Sequence, residues 1–298
     1  THGAALVRAW FIDDATRMNP HLNFAQVRLG WNKNNGYPAG IIEMRDLYAL
    51  LDAVRLLERA EAFPAQDMAA FRTWLGEYLV WLDTSFQGHK ERISRNNHGI
   101  YYDLQVGAIE AYLGNAASFS TIMLRAYSRV LTQIDDTGWQ AEEMARPISQ
   151  HYIAFHLQGM FNLFRLARGM GHAEGLLSPA VRERLKTGLL WFLDHKMEAW
   201  PYEQIMPFNV DRVWPLVARA VELGVVEASD LPAAWRLDDS SGRGTCVRQR
   251  HPRHHPGLSC RDCSSFRSAR PRRFRPRARS RHRHRHSGDC RSARRRPV

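Results

Sequence analysis

Apolar residues recur at helical spacing from the start of the chain to about residue 237. In 67–82, Phe71, Trp74, Leu75, Tyr78, Leu79 and Leu82 stand at i, i+3, i+4, i+7, i+8 and i+11. That spacing places one apolar face on a helix. Upstream, Leu47, Leu50, Leu51, Val54 and Leu57 form one stripe of a helix over 43–61, and Phe63-Pro64 ends it. The same reading predicts helices over 101–113, 116–135, 151–169, 179–197 and 211–223. Gly114, Gly138, the Gly169-Met170-Gly171 stretch and Gly224 supply stops. Ser178-Pro179 supplies a start, with a hydroxyl N-cap and proline at the first helical position. No segment keeps a convincing period of two. The pattern predicts an all-α protein of helical hairpins packed side by side. Trp74, Tyr78 and Trp81 share a helical stripe and read as core, as do Trp10 and Trp191.

Charge changes the picture, because it is not spread evenly. The 298 residues carry a formal net charge of +12, which taken whole points to nucleic acid or a membrane surface. Residues 240–298 hold 19 arginines, no lysine and two acids, Asp262 and Asp289. Residues 1–239 hold 23 basic against 28 acidic residues. The chain therefore reads as a body over 1–239, sized for one large core, and an Arg-rich tail over 240–298. The tail lacks Ile, Met, Trp and Tyr and cannot build a core. Three readings of it stand side by side: a frameshifted sequence, a disordered nucleic-acid-binding tail, and a zinc site on Cys260-Arg261-Asp262-Cys263. The frameshift reading is favoured, because Arg, Pro, Ser, His, Cys and Gly without Lys, Ile or Tyr is what a GC-rich gene gives out of frame. Nucleic acid is not expected to be the body's partner. All four cysteines lie in the tail, so the body needs no thiol chemistry and suits a secreted or periplasmic setting. No run of 18 apolar residues predicts a membrane span. Thr1 opens directly into an amphipathic segment, and the expectation is that the natural start has been removed, together with any targeting signal it carried.

Elaborate polar loops interrupt the helices at Asn19–Asn23, Gly30–Gly40, Asp83–Gly99, Gly138–Ser149 and Trp200–Asn209. Loops of this kind on a helical scaffold are where sites collect. Two stretches carry candidate chemistry. Arg95-Asn96-Asn97-His98-Gly99 precedes a helix, and its amides and imidazole make a donor-rich corner that attracts anions. Glu142 to Tyr152 sets Arg146 six residues before Tyr152, across Pro147, so that both can face one cleft. Arginine is a fixed cation suited to carboxylates, and tyrosine can donate or accept a proton beside cations. Taken alone, each has a bland reading: a capping His98, an Arg146 paired with Glu142 or Glu143, a half-buried Tyr152. Together they suit β-elimination from a uronate, which needs the carboxylate neutralised, a base near H5 and an acid near the leaving oxygen. A glycoside hydrolase acid at Glu142 or Glu143 rates low, because no second carboxylate has a comparable setting.

These stretches also carry a family resemblance. It rests on Trp10-Phe11-Ile12-Asp13, Thr16-Arg17-Met18-Asn19-Pro20, Asn23-Phe24-Ala25-Gln26 and Trp81-Leu82-Asp83-Thr84-Ser85. It continues through Asn96-Asn97-His98-Gly99, Tyr102-Asp103, Gln105, Arg146 with Ser149 and Tyr152, and Trp200-Pro201-Tyr202 with Gln204. In this order they resemble the alginate-lyase-domain polysaccharide lyases, most closely polysaccharide lyase family thirty-eight. The resemblance spans the body and not the tail. It implies an (α/α) toroid, here short of its last helices, with a groove for an acidic polysaccharide and no metal or cofactor. It implies cleavage of a β-1,4-linked uronan, alginate or glucuronan, with a catalytically impaired carbohydrate-binding scaffold of the same fold as the alternative. By the same resemblance Asn97, with Asn96, and Arg146 neutralise the carboxylate, and His98 is a base or orienting group. Tyr152 is the acid, and also the base where H5 and the leaving oxygen are syn. Asn19, Asn23, Gln26, Trp200, Tyr202 and Gln204 would line subsites. The chain departs from the family at the loop Gly30–Tyr37 and at Pro147, where threonine is expected.

Overall fold

A computed structural model describes residues 1–171, 178–195 and 199–236. The chain divides into two units, Thr1–Thr245 and Cys246–Val298, and every described residue belongs to the first. The boundary read at residue 240 and the Arg-rich tail lie outside the described residues. Among those described there is no strand, and no helix is long and apolar enough to cross a membrane.

The helices are α1 (His2–Phe11), α2 (Leu47–Arg59), α3 (Ala65–Thr84), α4 (Phe86–Arg92), α5 (Asn97–Leu113), α6 (Ala116–Gln133), α7 (Ala141–Met144), α8 (Ser149–Gly169), α9 (Pro179–Asp194) and α10 (Val213–Glu222). Helices α5 and α6 are joined by the two-residue turn Gly114-Asn115 and pack on one another, and α8 packs on α5, α9 and α10, as the hairpins of an all-α toroid do. Two of the predicted signals operate as read. Ser178 Oγ accepts from Val181 N at 3.4 Å ahead of Pro179, and Gly114 closes α5 with φ 86°, a left-handed conformation glycine takes without strain.

Helix α5 is central. It packs on α6 and α8 on one side and on α2, α3 and α4 on the other. Its apolar residues divide accordingly: Ile100, Tyr101 and Leu104 enter one hydrophobic cluster, while Tyr102, Ile109 and Tyr112 enter a second. A helix buried on all sides has no polar face to show in its sequence pattern. The polar residues it does carry are consumed by structure. Gln105 Nε2 donates to the carbonyls of Ile41 (3.0 Å) and Tyr101 (3.2 Å), and its oxygen accepts from Tyr78 OH at 3.2 Å. Tyr102 OH donates to Leu82 O at 3.1 Å.

Asp103 on α5 is fully buried and accepts from two arginines of α6. Arg125 Nε reaches Oδ1 at 2.7 Å and Arg129 Nε reaches Oδ2 at 2.7 Å. Arg129 then donates Nη1 to the carbonyl of Ser94 at 2.5 Å and Nη2 to that of Arg92. This ties the segment entering α5 to the body of the protein. A side chain on Gly99 would collide with the Ser94 carbonyl and the Arg129 guanidinium, so glycine is required there.

Three elements differ from the sequence reading. Helix α5 begins at Asn97, four residues before the predicted start, because Asn96 Oδ1 caps it by accepting from His98 N at 3.2 Å. Short α4 and α7 occupy segments read as loops, since neither is long enough to show a period. Trp10, read as core, is 59% exposed and lines an apolar groove between α1 and α2.

Replacing Asp103 by alanine leaves the Arg129 guanidinium buried without its carboxylate. The expected loss is about 3–5 kcal/mol of unfolding free energy, read from urea unfolding curves. A loss below about 1 kcal/mol would show that the fork is dispensable.

Candidate functional site

The predicted chemistry converges where three segments meet: the capped start of α5, the turn between α7 and α8, and the first turns of α8. A cleft of about 400 Å³ opens there, lined by Asn97, His98, Arg146 and Tyr152 together with Gln26, Arg45, His151 and Arg212. A smaller pocket of about 220 Å³ adjoins it, sharing His151 and Arg212 and adding Gln204 and Asn209.

The four central side chains each have a hydrogen-bond partner. Arg146 donates from Nη2 to Tyr152 OH at 2.7 Å, and its guanidinium lies 3.9 Å from the tyrosine ring centroid. The hydroxyl oxygen thus accepts from a cation, a contact it can keep while giving or taking a proton. His98 pairs through Nδ1 with Glu91 Oε1 at 2.6 Å, and Glu91 is 2% exposed. The carboxylate fixes the ring and leaves Nε2 for the cleft.

Asn97 is held by Glu143 of α7. Its backbone N–H donates to Oε1 at 2.5 Å and its Nδ2 to Oε2 at 2.8 Å. Burial pushes the Glu143 carboxyl up to about 7, against hydrogen bonds from Asn97 and the charges of Arg146 and His98. Asn97 Oδ1 is buried and has no hydrogen-bond partner. Glu143 thus serves Asn97, and not Arg146 as its position in the sequence suggested. Beside it, His156 is held between Gln140 Oε1 (Nδ1, 2.7 Å) and Gln133 Oε1 (Nε2, 2.9 Å). Burial, with the nearby Arg129 charge, lowers its pKa to about 3. At the far wall Arg212 Nη1 lies 2.9 Å from His151 Nδ1. Burial and the charges of Arg212 and Arg45 lower the His151 pKa, which keeps this imidazole neutral.

The remaining candidates are placed differently. Gln26 lines the cleft in a left-handed conformation (φ 52°), with Nε2 donating to Glu43 Oε1 at 2.7 Å. Asn23 and Asn19 do not line it. Asn23 Oδ1 accepts from Trp81 Nε1 at 2.9 Å, a packing role, and Asn19 is exposed. Asn96 serves as the cap of α5. Trp200 and Gln204 are pinned to Ser149, at the start of α8, with Trp200 Nε1 at 3.2 Å and Gln204 Nε2 at 2.8 Å from its hydroxyl. Tyr202 meets Trp200 and Trp139 edge-on and is 39% exposed. The loop that carries these three thus anchors the helix start that bears Tyr152.

Sequence reading does not single out Glu91, Arg45, His151 or Arg212. Glu91 sits in a segment with no periodic signal, Arg45 lies just ahead of the apolar stripe that starts at Leu47, and Arg212 meets His151 across 61 positions of chain. Only the Asn-Asn-His-Gly and Arg-x5-Tyr pairings could have pointed to a site. Among the described residues no three His, Cys, Asp or Glu stand together as a metal-binding group.

Comparison with known proteins points the same way. No curated protein matches the chain. An alginate lyase from Bacteroides ovatus has a similar solved structure, with a TM-score of 0.68 and 26% sequence identity. The match covers 74% of this chain and 60% of that one, so the chain spans about three-fifths of that enzyme's length. The family model for alginate lyase matches residues 1–197, which include every residue of the Asn97–His98–Arg146–Tyr152 constellation. With more than half its length matched, the chain belongs to the alginate lyase family.

Proposed function

We propose that the chain is a polysaccharide lyase that cleaves a β-1,4-linked uronan, polymannuronate or glucuronan, by β-elimination. The observation that carries this reading is the Arg146–Tyr152 contact of 2.7 Å within the cleft that also presents Asn97 and His98. A cation, an amide, an imidazole and a phenol at one cleft match the needs of the reaction.

The uronate carboxylate binds between Asn97 and Arg146. Neutralising it there stabilises the charge that develops when H5 is withdrawn. Where H5 and the C4 oxygen lie on the same side of the ring, as in β-D-mannuronate and β-D-glucuronate, Tyr152 serves both. Its phenolate, held by a charge-assisted hydrogen bond from Arg146, takes H5. The C4=C5 double bond forms as the C4–O bond breaks, and the phenol returns its proton to the leaving oxygen. Where the two are anti, as in α-L-guluronate, His98 Nε2 is the base and Tyr152 the acid. Glu91 keeps the ring in the tautomer that either role requires.

The next uronate along the polymer meets Arg212. Its guanidinium lies beyond His151 from Tyr152, where cleft and adjoining pocket meet, and its partner there is a neutral imidazole and not a carboxylate.

A panel of polymannuronate, polyguluronate and glucuronan, followed by the ultraviolet absorbance of the unsaturated uronate end, tests the activity. Absorbance should rise with at least one of them, and Tyr152→Phe should lower kcat by about 10²–10⁴-fold while polymer binding persists. Unchanged turnover in Tyr152→Phe would sink the assignment. Arg212→Ala should raise KM for polymer about tenfold, the loss of one charge-assisted contact, and leave kcat within about threefold. A matching drop in kcat with KM unchanged would remove Arg212 from the binding path.

A further inference from the structure

Asn97 stands between two places for a carboxylate. Behind it lies Glu143, 1% exposed, which accepts from its backbone N–H and its Nδ2. In front lies the cleft, where the lyase reading puts the uronate carboxylate. A docked uronate therefore stands one amide away from a buried carboxylate. Two like charges so placed cannot both stay ionised cheaply, and one of them takes a proton.

We propose that Glu143 takes up a proton from solvent as the uronate carboxylate docks on Asn97, and that the resulting acid turns the Asn97 amide toward the substrate. This rests on the uronan reading above.

The groups around Glu143 decide which carboxyl is protonated. From α5 it faces Asn97 and His98, and His98 is already paired with Glu91. From the turn after α7 it faces Arg146, which is engaged with Tyr152. From α8 it faces His156 at 4.0 Å, which burial keeps neutral. No cation is in contact with Glu143 to hold it charged, and burial has already moved it to about 7. The uronate, by contrast, has Arg146 beside it and open cleft around it. Glu143 is therefore the group that gives way.

The orphaned Asn97 Oδ1 supplies the second half. While Glu143 is ionised, it draws the amide NH₂ to itself, and Oδ1 is left buried with no donor. Once protonated, Glu143 has an O–H to give. A half-turn of the amide lets Oδ1 accept it, and Nδ2 is released to donate to the uronate. One proton moves from buffer to Glu143, and no bond of the sugar changes. Glu143 is thus a positioning residue that acts through Asn97, and it keeps a negative charge away from the uronate when the reaction begins.

The test is calorimetric titration of polymannuronate and glucuronan into the full chain carrying Tyr152→Phe, which holds the polymer uncut. Measured near pH 8 in buffers of different ionisation enthalpy, binding should take up about 0.5–1 proton per site. Adding Glu143→Gln should cut that uptake at least about threefold. Binding without uptake, or uptake unchanged in Glu143→Gln, overturns the proposal and leaves the uronan reading standing. No binding of any uronan overturns the uronan reading, and this proposal with it. Should Glu143→Gln fail to fold, infrared difference spectra of the Tyr152→Phe chain decide the matter. A protonated carboxyl band that appears on binding supports the proposal, and its absence overturns it.

Discussion

Arg129 reaches from α6 to the buried Asp103 of α5 and gives its other donors to the carbonyls of Arg92 and Ser94. The α5 side of the cleft follows from that anchor. The two carbonyls end α4, so Glu91 is set where it meets His98. They also fix the approach to Asn96, whose cap sets the register in which Asn97 and His98 leave the helix. Gly99 is the condition for this, since the guanidinium occupies the space any side chain would need. A buried charge pair is a poor source of stability compared with an apolar core. Its use here is geometric, because a planar guanidinium with several donors fixes directions that hydrophobic contacts leave free.

The cleft repeats this logic at smaller scale. Groups that face it are held by partners, and for Asn97 and His98 the partner is a buried acid that does not line it. Glu91 holds His98, Glu143 holds Asn97, and Ser149 holds Trp200 and Gln204. Arg146 and Tyr152 hold one another. Rotamers fixed in this way are what positioning of a polymer at a reacting carbon requires, since small misplacements cost large factors in rate. The acids face inward, and the surface presented to a ligand is made of arginine, imidazole, amide and phenol. A chain whose body is acidic overall thereby shows a cationic cleft.

Much of this architecture is legible in the sequence, and the limits have physical causes. Helices α3 and α6 each bury one stripe, so their period survives in the residue order. The start of α5 was misread by four residues, because Asn96 to Gly99 is polar and looks like loop until the cap is seen. Trp10 looked like core because size and hydrophobicity do not reveal which face of α1 is covered. The cleft residues Asn97, His98, Arg146 and Tyr152 were found through two short pairings and their order. Their supports were not. Glu143 meets Asn97 across 46 positions of chain, and Arg212 meets His151 across 61. Contacts of that separation leave no periodic trace, and an acid in a polar stretch reads as a solvated one.

The placement of those acids also separates two chemistries that helical toroids share. A glycosidase needs two carboxyl groups that both reach the sugar, one to protonate the leaving oxygen and one to act at the anomeric carbon, roughly 5–9.5 Å apart. Glu91 and Glu143 are the buried carboxyls nearest the cleft. One is 2.6 Å from His98 Nδ1, and the other is closed off by two donors of Asn97. Neither is among the residues that line the cleft. A hydrolase would have to break both pairings to free its acid and its base. β-Elimination needs neither carboxyl freed into the cleft, because it asks the protein for neutralisation of a carboxylate and for one group that moves a proton. The carboxylates behind the cleft hold Asn97 and His98, and so set which atoms of these two side chains are left for a ligand.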